Sequence, residues 1–333
     1  MARNLALDEK EKQLVGVKKY NNKKRKVFDR RLFVFSFLAL PILTFLIFYV
    51  YVNLQSFAYS FMIYEGGEGH FDPNFTNFKN IWACLFQNKD SSISILTSQN
   101  LKNALVNVLL FNFVGIFLGL PVSVLFGYFL YKKVKGYKFF RFVIYLPSII
   151  TSAALMMLYK QIIGYGGIIH AINGGAMDYT NPWARTDGSA IYFLLFYCFM
   201  FGFGTNMIVI NGAMNSINNE VLEASQLDGC NWFQELLHII FPSIWPTIST
   251  ILIMCVAGFL GTSGPILAFT GIGQANANQT FTLSYLLYYM VAQSTSGGNE
   301  GWIYMASAIG LCMTLIGFPL ALLVKRLAYG KEK

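Results

Sequence analysis

MNSINNEVLEASQLDGCNWFQELLHIIFP, residues Met214 to Pro242, is a polar interval between two long apolar runs. Glu220, Glu223, Asp228 and Glu235 give it more acid than any other part of the surrounding apolar region. Asn218 and Asn219 are residues that cap helices, and Val221, Leu222, Ala224 and Leu227 supply the apolar positions of a short helix behind them. Asp228-Gly229 reads as a turn, because glycine takes a positive φ without steric cost. Asn231, with Gln234 three residues on, has the spacing of a capping box and opens a second helix. On that helix Trp232, Leu236 and Ile240 share one stripe, flanked by Phe233 and Leu237. Pro242 is the expected turn back into apolar sequence. The interval therefore predicts a helix–turn–helix outside the membrane, with an apolar ridge and an acidic flank.

The rest of the chain explains why a membrane enters the reading. A chain of 333 residues, 55% hydrophobic and 12% charged, is no ordinary soluble globule. Six apolar runs approach or exceed the about 20 residues that cross a bilayer as a helix. They lie at about 32–57, 103–131, 142–163, 189–212, 241–269 and 301–324. The formal net charge of +9 is concentrated in three places, which is the pattern of topology and not of nucleic-acid binding. These are Lys18 to Arg31, the short loop with Lys132, Lys133, Lys135, Lys138 and Arg141, and the end of the chain from Lys325 and Arg326 to Lys331 and Lys333. By that charge count both termini are cytoplasmic, and so is the interval 214–242. The predicted fold is an all-α membrane protein of six transmembrane helices. Its divisions are a basic tail 1–31, a first span and external segment 32–100, a core membrane domain 101–326, and a tail 327–333.

Smaller features fill in this outline. Phe75 to Phe86, with Lys79 and Trp82, predicts a surface-lying piece at headgroup level. Gly115 and Gly119 form a GxxxG pair that predicts close helix packing. Pro147 predicts a break within the third span. The Gly-rich stretch with Gly164, Gly166, Gly167, Gly174 and Gly175, closed by Asn181-Pro182-Trp183, and the stretch 270–300 are expected to be external loops. Cys84, Cys198, Cys230, Cys255 and Cys312 are odd in number and scattered, and the three histidines are isolated, so neither a disulfide framework nor a metal site is inferred.

The interval also carries a family resemblance. Glu223-Ala224-Ser225, three residues including Leu227 and Asp228, Gly229, nine residues, Ile239, one residue and Phe241-Pro242 closely resembles the EAA loop of bacterial ABC importer permeases. That pattern is Glu-Ala-Ala, three residues, Gly, nine residues, Ile, one residue, Leu-Pro; Ser225 and Phe241 are the two departures. The resemblance implies a type I importer permease fold in a bacterial cell membrane, of the carbohydrate-type family. It also implies a loop that docks on a cytoplasmic ATPase. The partners implied are a second, similar permease, two ATPase subunits, an external solute-binding lipoprotein and membrane lipid. In the maltose-type members sugar lies between the helices flanking the loop. Counting without gaps from Glu223, the resemblance points to Phe201, Gly202 and Thr205 before it and to Cys255, Phe259 and Thr262 after it.

What is absent bears on mechanism. The span interiors carry no Asp, Glu, Lys, Arg or His, and Lys160 sits near an outer end. Proton-driven carriers use such groups as relays. No GxxxxGK[ST] stretch exists to cradle a nucleotide, so no cofactor and no catalytic residue is assigned. A carrier with no energy site but with a docking loop draws its work from a partner. Two other classes stay open at this point: a stand-alone secondary carrier or channel, and a membrane scaffold with no path. Within the importer class, glycerol phosphate or a polyamine stands beside a carbohydrate as the solute.

Overall fold

The computed structural model describes residues 30, 33–91, 93–172, 188–262, 265–271, 279–296 and 298–330. The basic tail apart from Arg30, the loop part with Gly174, Gly175 and Asn181 to Trp183, and Lys331 and Lys333 lie outside them. The chain divides after Ala58. Helix α1, Phe33–Ser60, makes up the described part of the unit before that point except Arg30, its last two residues belonging to the next unit, and has a mean hydropathy of 2.4. Phe33, Phe37 and Phe48 stand exposed on it, as a helix solvated by lipid requires.

The second unit opens with a hairpin that the polar composition of 60–101 did not announce. Strands β1, Met62–Glu65, and β2, Glu68–Phe71, pair antiparallel in the register Met62↔Phe71 and Glu65↔Glu68. The two-residue turn between them needs two positive φ angles, which Gly66 and Gly67 supply. The Tyr64 hydroxyl hydrogen-bonds the Glu300 carboxylate, tying the hairpin to the foot of the last helix. Helix α2, Thr76–Phe86, follows. Asp72 accepts from the backbone N–H of Asn74 at 2.9 Å and from that of Thr76. Burial alone would raise the Asp72 pKa, but those backbone donors outweigh it and leave the carboxyl below its ordinary value. Helix α2 buries Ile81 and Cys84 and leaves Trp82 and Phe86 exposed as a ring pair 4.2 Å apart, which suits a surface-lying segment.

Helix α3, Ser98–Tyr131, α4, Tyr137–Ile149, α5, Ser152–Ile163, and α6, Ala190–Met214, come next. Helix α4 and the segment after it, Ser152–Ile172, are bent by 106°; the break falls at Ile150 and Thr151, just beyond Pro147. The loop helices are α7, Asn219–Leu227, and α8, Trp232–Ser243. Helix α9, Trp245–Ala257, leaves α8 at 69°. The expected fifth span then breaks again, into a 3-10 turn Phe259–Gly261 and the short helix Ile266–Thr270. The stretch 270–300, expected to be an external loop, instead contains helix α10, Leu283–Ser296, whose Leu283, Tyr285, Leu286 and Met290 are buried. Helix α11, Trp302–Tyr329, closes the unit. Four of these helices are long and apolar enough to cross a membrane, and six spans result if each bent pair counts as one.

The GxxxG expectation is corrected. A Cβ on Gly115 would meet nothing within 4 Å, and one on Gly119 would meet only its own helix at Val114 O. Both lie in a π-helical stretch, Val114–Gly119, that disturbs their alignment. Close approach occurs instead at Gly127, where a Cβ would stand 3.4 Å from Ile210 of α6, and at Gly204, 3.0 Å from the Ile144 carbonyl of α4. Side-chain amides and hydroxyls stitch the remaining contacts, some on carbonyls beside helix breaks and some on carbonyls within helices. Asn107 donates to Gln279 O and Phe281 O at 2.9 and 2.7 Å, and Asn112 to Phe259 O at 3.1 Å. Ser123 donates to Phe203 O at 3.0 Å and Asn211 to Gly127 O at 3.1 Å.

Candidate coupling loop and solute path

The loop folds as its residues dictate. Asn218 caps α7 by accepting from the Glu220 N–H at 3.1 Å. Gly229 ends that helix with φ +76°, in the left-handed region that only glycine enters freely. A Cβ there would meet nothing within 4 Å, so the constraint on this position is conformational and not steric. Asn231 and Gln234 form the capping box that opens α8, with the Asn231 N–H donating to Gln234 Oε1 at 3.0 Å. Pro242 lies inside α8 and does not turn the chain; the bend falls at Ile244 and Trp245, two to three residues later than expected. The reason is local: α8 passes through a π turn, Leu236–Ile240, and Pro242 occupies the first turn after it, where a missing N–H is tolerated.

Two faces result. Inward, Leu222 of α7 and Leu236 and Ile240 of α8 join Leu120, Val124, Tyr128, Ile210, Met214, Ile244 and Ile248 in one core cluster. Trp232 stands half exposed, its ring 6.5 Å from Tyr128 and 6.1 Å from Phe129. Ser225 is buried with its hydroxyl on the Leu222 carbonyl at 2.8 Å, so a small side chain is needed there and Ser serves as Ala would. Outward, Glu223, Ala224, Leu227 and Asp228 are exposed, and Leu227 is 89% exposed. Ile239 and Phe241 are half-buried. Glu223 and Leu227 stand four residues apart, one helical turn, and so share a stripe.

The acidic flank loses one member. Glu235 is 4% exposed, and its Oε1 lies 2.5 Å from the Nζ of Lys132, at the end of α3. Sequence reasoning placed Glu235 with the outward acids because nothing near it in sequence announces its partner, Lys132, which lies far upstream at the end of α3.

The six residues reached by counting stand on two elements in contact, α6 and the α9 segment with its 3-10 turn. Phe201 and Phe259 pack partly buried against the larger core cluster, while Cys255 packs against the cluster under the loop. Gly202 and Thr205 are exposed on α6. The Thr262 hydroxyl donates to Gly258 O at 3.2 Å, across the break in the span. These residues thus divide between helix contacts and open surface. Nothing local singles out Asn112, whose amide holds the Phe259 carbonyl; asparagine is abundant in this chain and its partner lies far away in sequence. Among the described residues no group of His, Cys, Asp and Glu is placed to hold a metal ion.

Comparison with known proteins places this geometry. Residues 91–331 match the model of the family described as binding-protein-dependent transport system inner membrane component. The multiple sugar-binding transport system permease protein MsmF of Streptococcus mutans is 24% identical over 84% of this chain and 90% of its own length. The arabinooligosaccharides transport system permease protein AraP of Bacillus subtilis is 21% identical over 88% of each. Among solved structures, a chain of a bacterial ABC transporter involved in the import of the acidic polysaccharide alginate superposes with a TM-score of 0.73. It is 18% identical, over 92% of this chain and 99% of that one, so the likeness speaks for the fold, a type I permease fold that is mostly helical and departs from the expected all-α class only in the β1–β2 hairpin. With the matched region covering the core helices and the whole loop, the chain belongs to the binding-protein-dependent transport system inner membrane components.

Proposed function

We propose that this chain is one transmembrane permease subunit of an ATP-driven importer that takes up a carbohydrate, an oligosaccharide in particular. It forms the path together with a second permease, draws its work from two ATPase subunits on the cytoplasmic side, and receives solute from an external binding protein. Both termini and the loop 214–242 face the cytoplasm in this reading, as the placement of Lys and Arg supports. The observation that carries it is the outward face of α7. Glu223, Ala224 and Leu227 are spared by the chain's own core and stand uncovered, at the head of a motif spacing that resembles a docking loop. ATP-driven closure of the ATPase pair would pull the two permeases' loops together, and rocking of the helices would open the path outward. The named sugar permeases among the relatives support carbohydrate as the solute class. So does the lack of Lys or Arg in the span interiors near the counted path, since a phosphate-bearing solute favours cations there.

The test uses the assembled transporter purified through a tag on this chain. Glu223→Ala removes the carboxylate, and Gly229→Val opposes the positive φ. Both variants are expected to insert in the membrane, yet to retain less ATPase subunit or to hydrolyse ATP without uptake. A carboxylate desolvated in a docking groove leaves its partner unpaired when removed, a loss of about 2–5 kcal/mol. An exposed pair would cost about 0–1 kcal/mol and its loss would be almost silent. Wild-type retention and wild-type uptake in both variants would reduce the loop to a connector.

A further inference from the structure

We propose that the Lys132–Glu235 ion pair is the fastening through which the coupling loop moves helix α3, so that these two residues position the loop for transport and not for docking. The inference rests on the reading that the loop meets an ATPase. Of the loop's acids, Glu220, Glu223 and Asp228 face out, and Glu235 alone is buried, at 4% exposure. It falls within the nine-residue spacer between Gly229 and Ile239, where the motif spacing specifies nothing. Its partner Lys132 is the residue that ends α3: the Lys132 N–H donates to Tyr128 O at 2.9 Å, which holds its backbone to the last turn. The Lys132 ammonium lies 5.9 Å from the centre of the Tyr128 ring, and the Tyr128 ring faces Trp232 of α8. Lys133 cannot take over. It sits at φ +51°, where the chain turns away, and is exposed.

The surroundings decide what such a pair can do. The Trp232–Tyr128 ring contact and the buried Leu236 and Ile240 pack α8 against the end of α3, but such contacts are less directional than a paired charge and fix the register less sharply. A buried carboxylate cannot slide off its ammonium without being left unpaired in a poor solvent, so the pair fixes one register. Displacement of α8 is therefore passed to α3. Along α3 the Asn112 amide holds the Phe259 carbonyl at 3.1 Å, in the broken segment that the counted path includes. Asn107 likewise holds Gln279 O and Phe281 O, just before α10. Loop, ion pair, α3 and the broken fifth span form one contiguous chain of contacts, the physical requirement for carrying a displacement between two sites.

The experiment reconstitutes the complete transporter with Lys132→Met, Glu235→Gln, the exchange Lys132→Glu with Glu235→Lys, and Lys132→Arg. Three quantities are read: ATPase subunit retained, rate of ATP hydrolysis, and solute taken up per ATP hydrolysed. Retention is expected to hold in all four, because the outward face of α7 is untouched. Uptake per ATP is expected to fall about thirtyfold in each single neutral variant, the low end of the effect of unpairing a buried charge. The exchange and Lys132→Arg should restore at least half of it. Unchanged uptake per ATP in both neutral variants overturns the proposal. So does an exchange variant that assembles without regaining uptake, and so does failure of all four to assemble, which would make the pair purely structural. Glu223→Ala tests the underlying reading separately: normal retention there would remove the docked partner, whereas the pair's outcome is read in uptake per ATP.

Discussion

Thr205 and Thr262 show how differently two hydroxyls can be placed by similar sequence. Thr205 lies exposed on α6, while Thr262 lies where the fifth span is interrupted and donates to Gly258 O. If either lines the solute path, replacement by valine removes a hydroxyl at nearly constant volume. The isolated hydrogen bond of Thr262 is worth about 0.5–1.5 kcal/mol, too little to unfold the chain. Thr205→Val and Thr262→Val are therefore expected to lower uptake while assembly and stimulated hydrolysis survive. Unaltered uptake in both would show that the gapless count does not locate the path. At this scale much was legible in advance. Asn218, Gly229, Asn231 and Gln234 do the capping and turning that their types and spacing dictate, because caps and turns are settled within a few residues. Glu235 was not legible, since its direction depends on a helix more than ninety residues upstream.

Among the elements, contact between α3 and α6 turns on a glycine that no motif marked. Gly127 sits against Ile210, Met207 and Met214, whereas Gly115 of the GxxxG pair faces open space. Gly127→Leu overpacks that contact and is expected to cost about 1–3 kcal/mol. Gly115→Ala is expected to be neutral or to gain about 0.5–1 kcal/mol from helix preference. Thermal unfolding of the detergent-purified variants measures both, and a lower midpoint for Gly115→Ala with none for Gly127→Leu would reverse the assignment. Helix existence was readable from apolar runs, and their ends agree with expectation within a few residues for α1, α3, α6 and α11. The breaks were harder. Pro147 signalled one; Pro242 and Pro246 bracket that at Ile244, and Gly258, Gly261 and Pro265 surround that at Phe259–Gly261, but such residues also sit inside unbroken spans, as Pro319 does in α11. Helix α10 was missed because a polar, Gly-flanked stretch reads as loop until its inward face finds a core.

For the molecule as a whole, the open quantity is orientation across the membrane. Basic residues gather at Lys132 to Arg141 and at Lys325 and Arg326, on the loop-bearing side of the helices, while the hairpin turn carries Glu65 and Glu68. The charge rule therefore sends the loop to the cytoplasm and the hairpin outside. In a background without the native cysteines, Asn231→Cys is expected to react with an impermeant thiol reagent only from the cytoplasmic face. Glu68→Cys, and Asn276→Cys in the stretch outside the described residues, should react only from the other face. Labelling of both classes from one side would defeat the arrangement with both termini inside.

The π turn Leu236–Ile240 has a bearing on the motif itself. An α-helix advances about 100° per residue, so one residue inserted by a π turn rotates everything after it by about that angle. The interval from Gly229 to Ile239 is thus an angular measure as much as a length. Shortening it by one residue would let α8 relax into a regular helix with Phe241, Pro242 and the entry to α9 still in phase with the Gly229 turn, whereas shortening it by two would swing them a quarter turn out. A ruler that counts nine residues is, in this protein, a protractor.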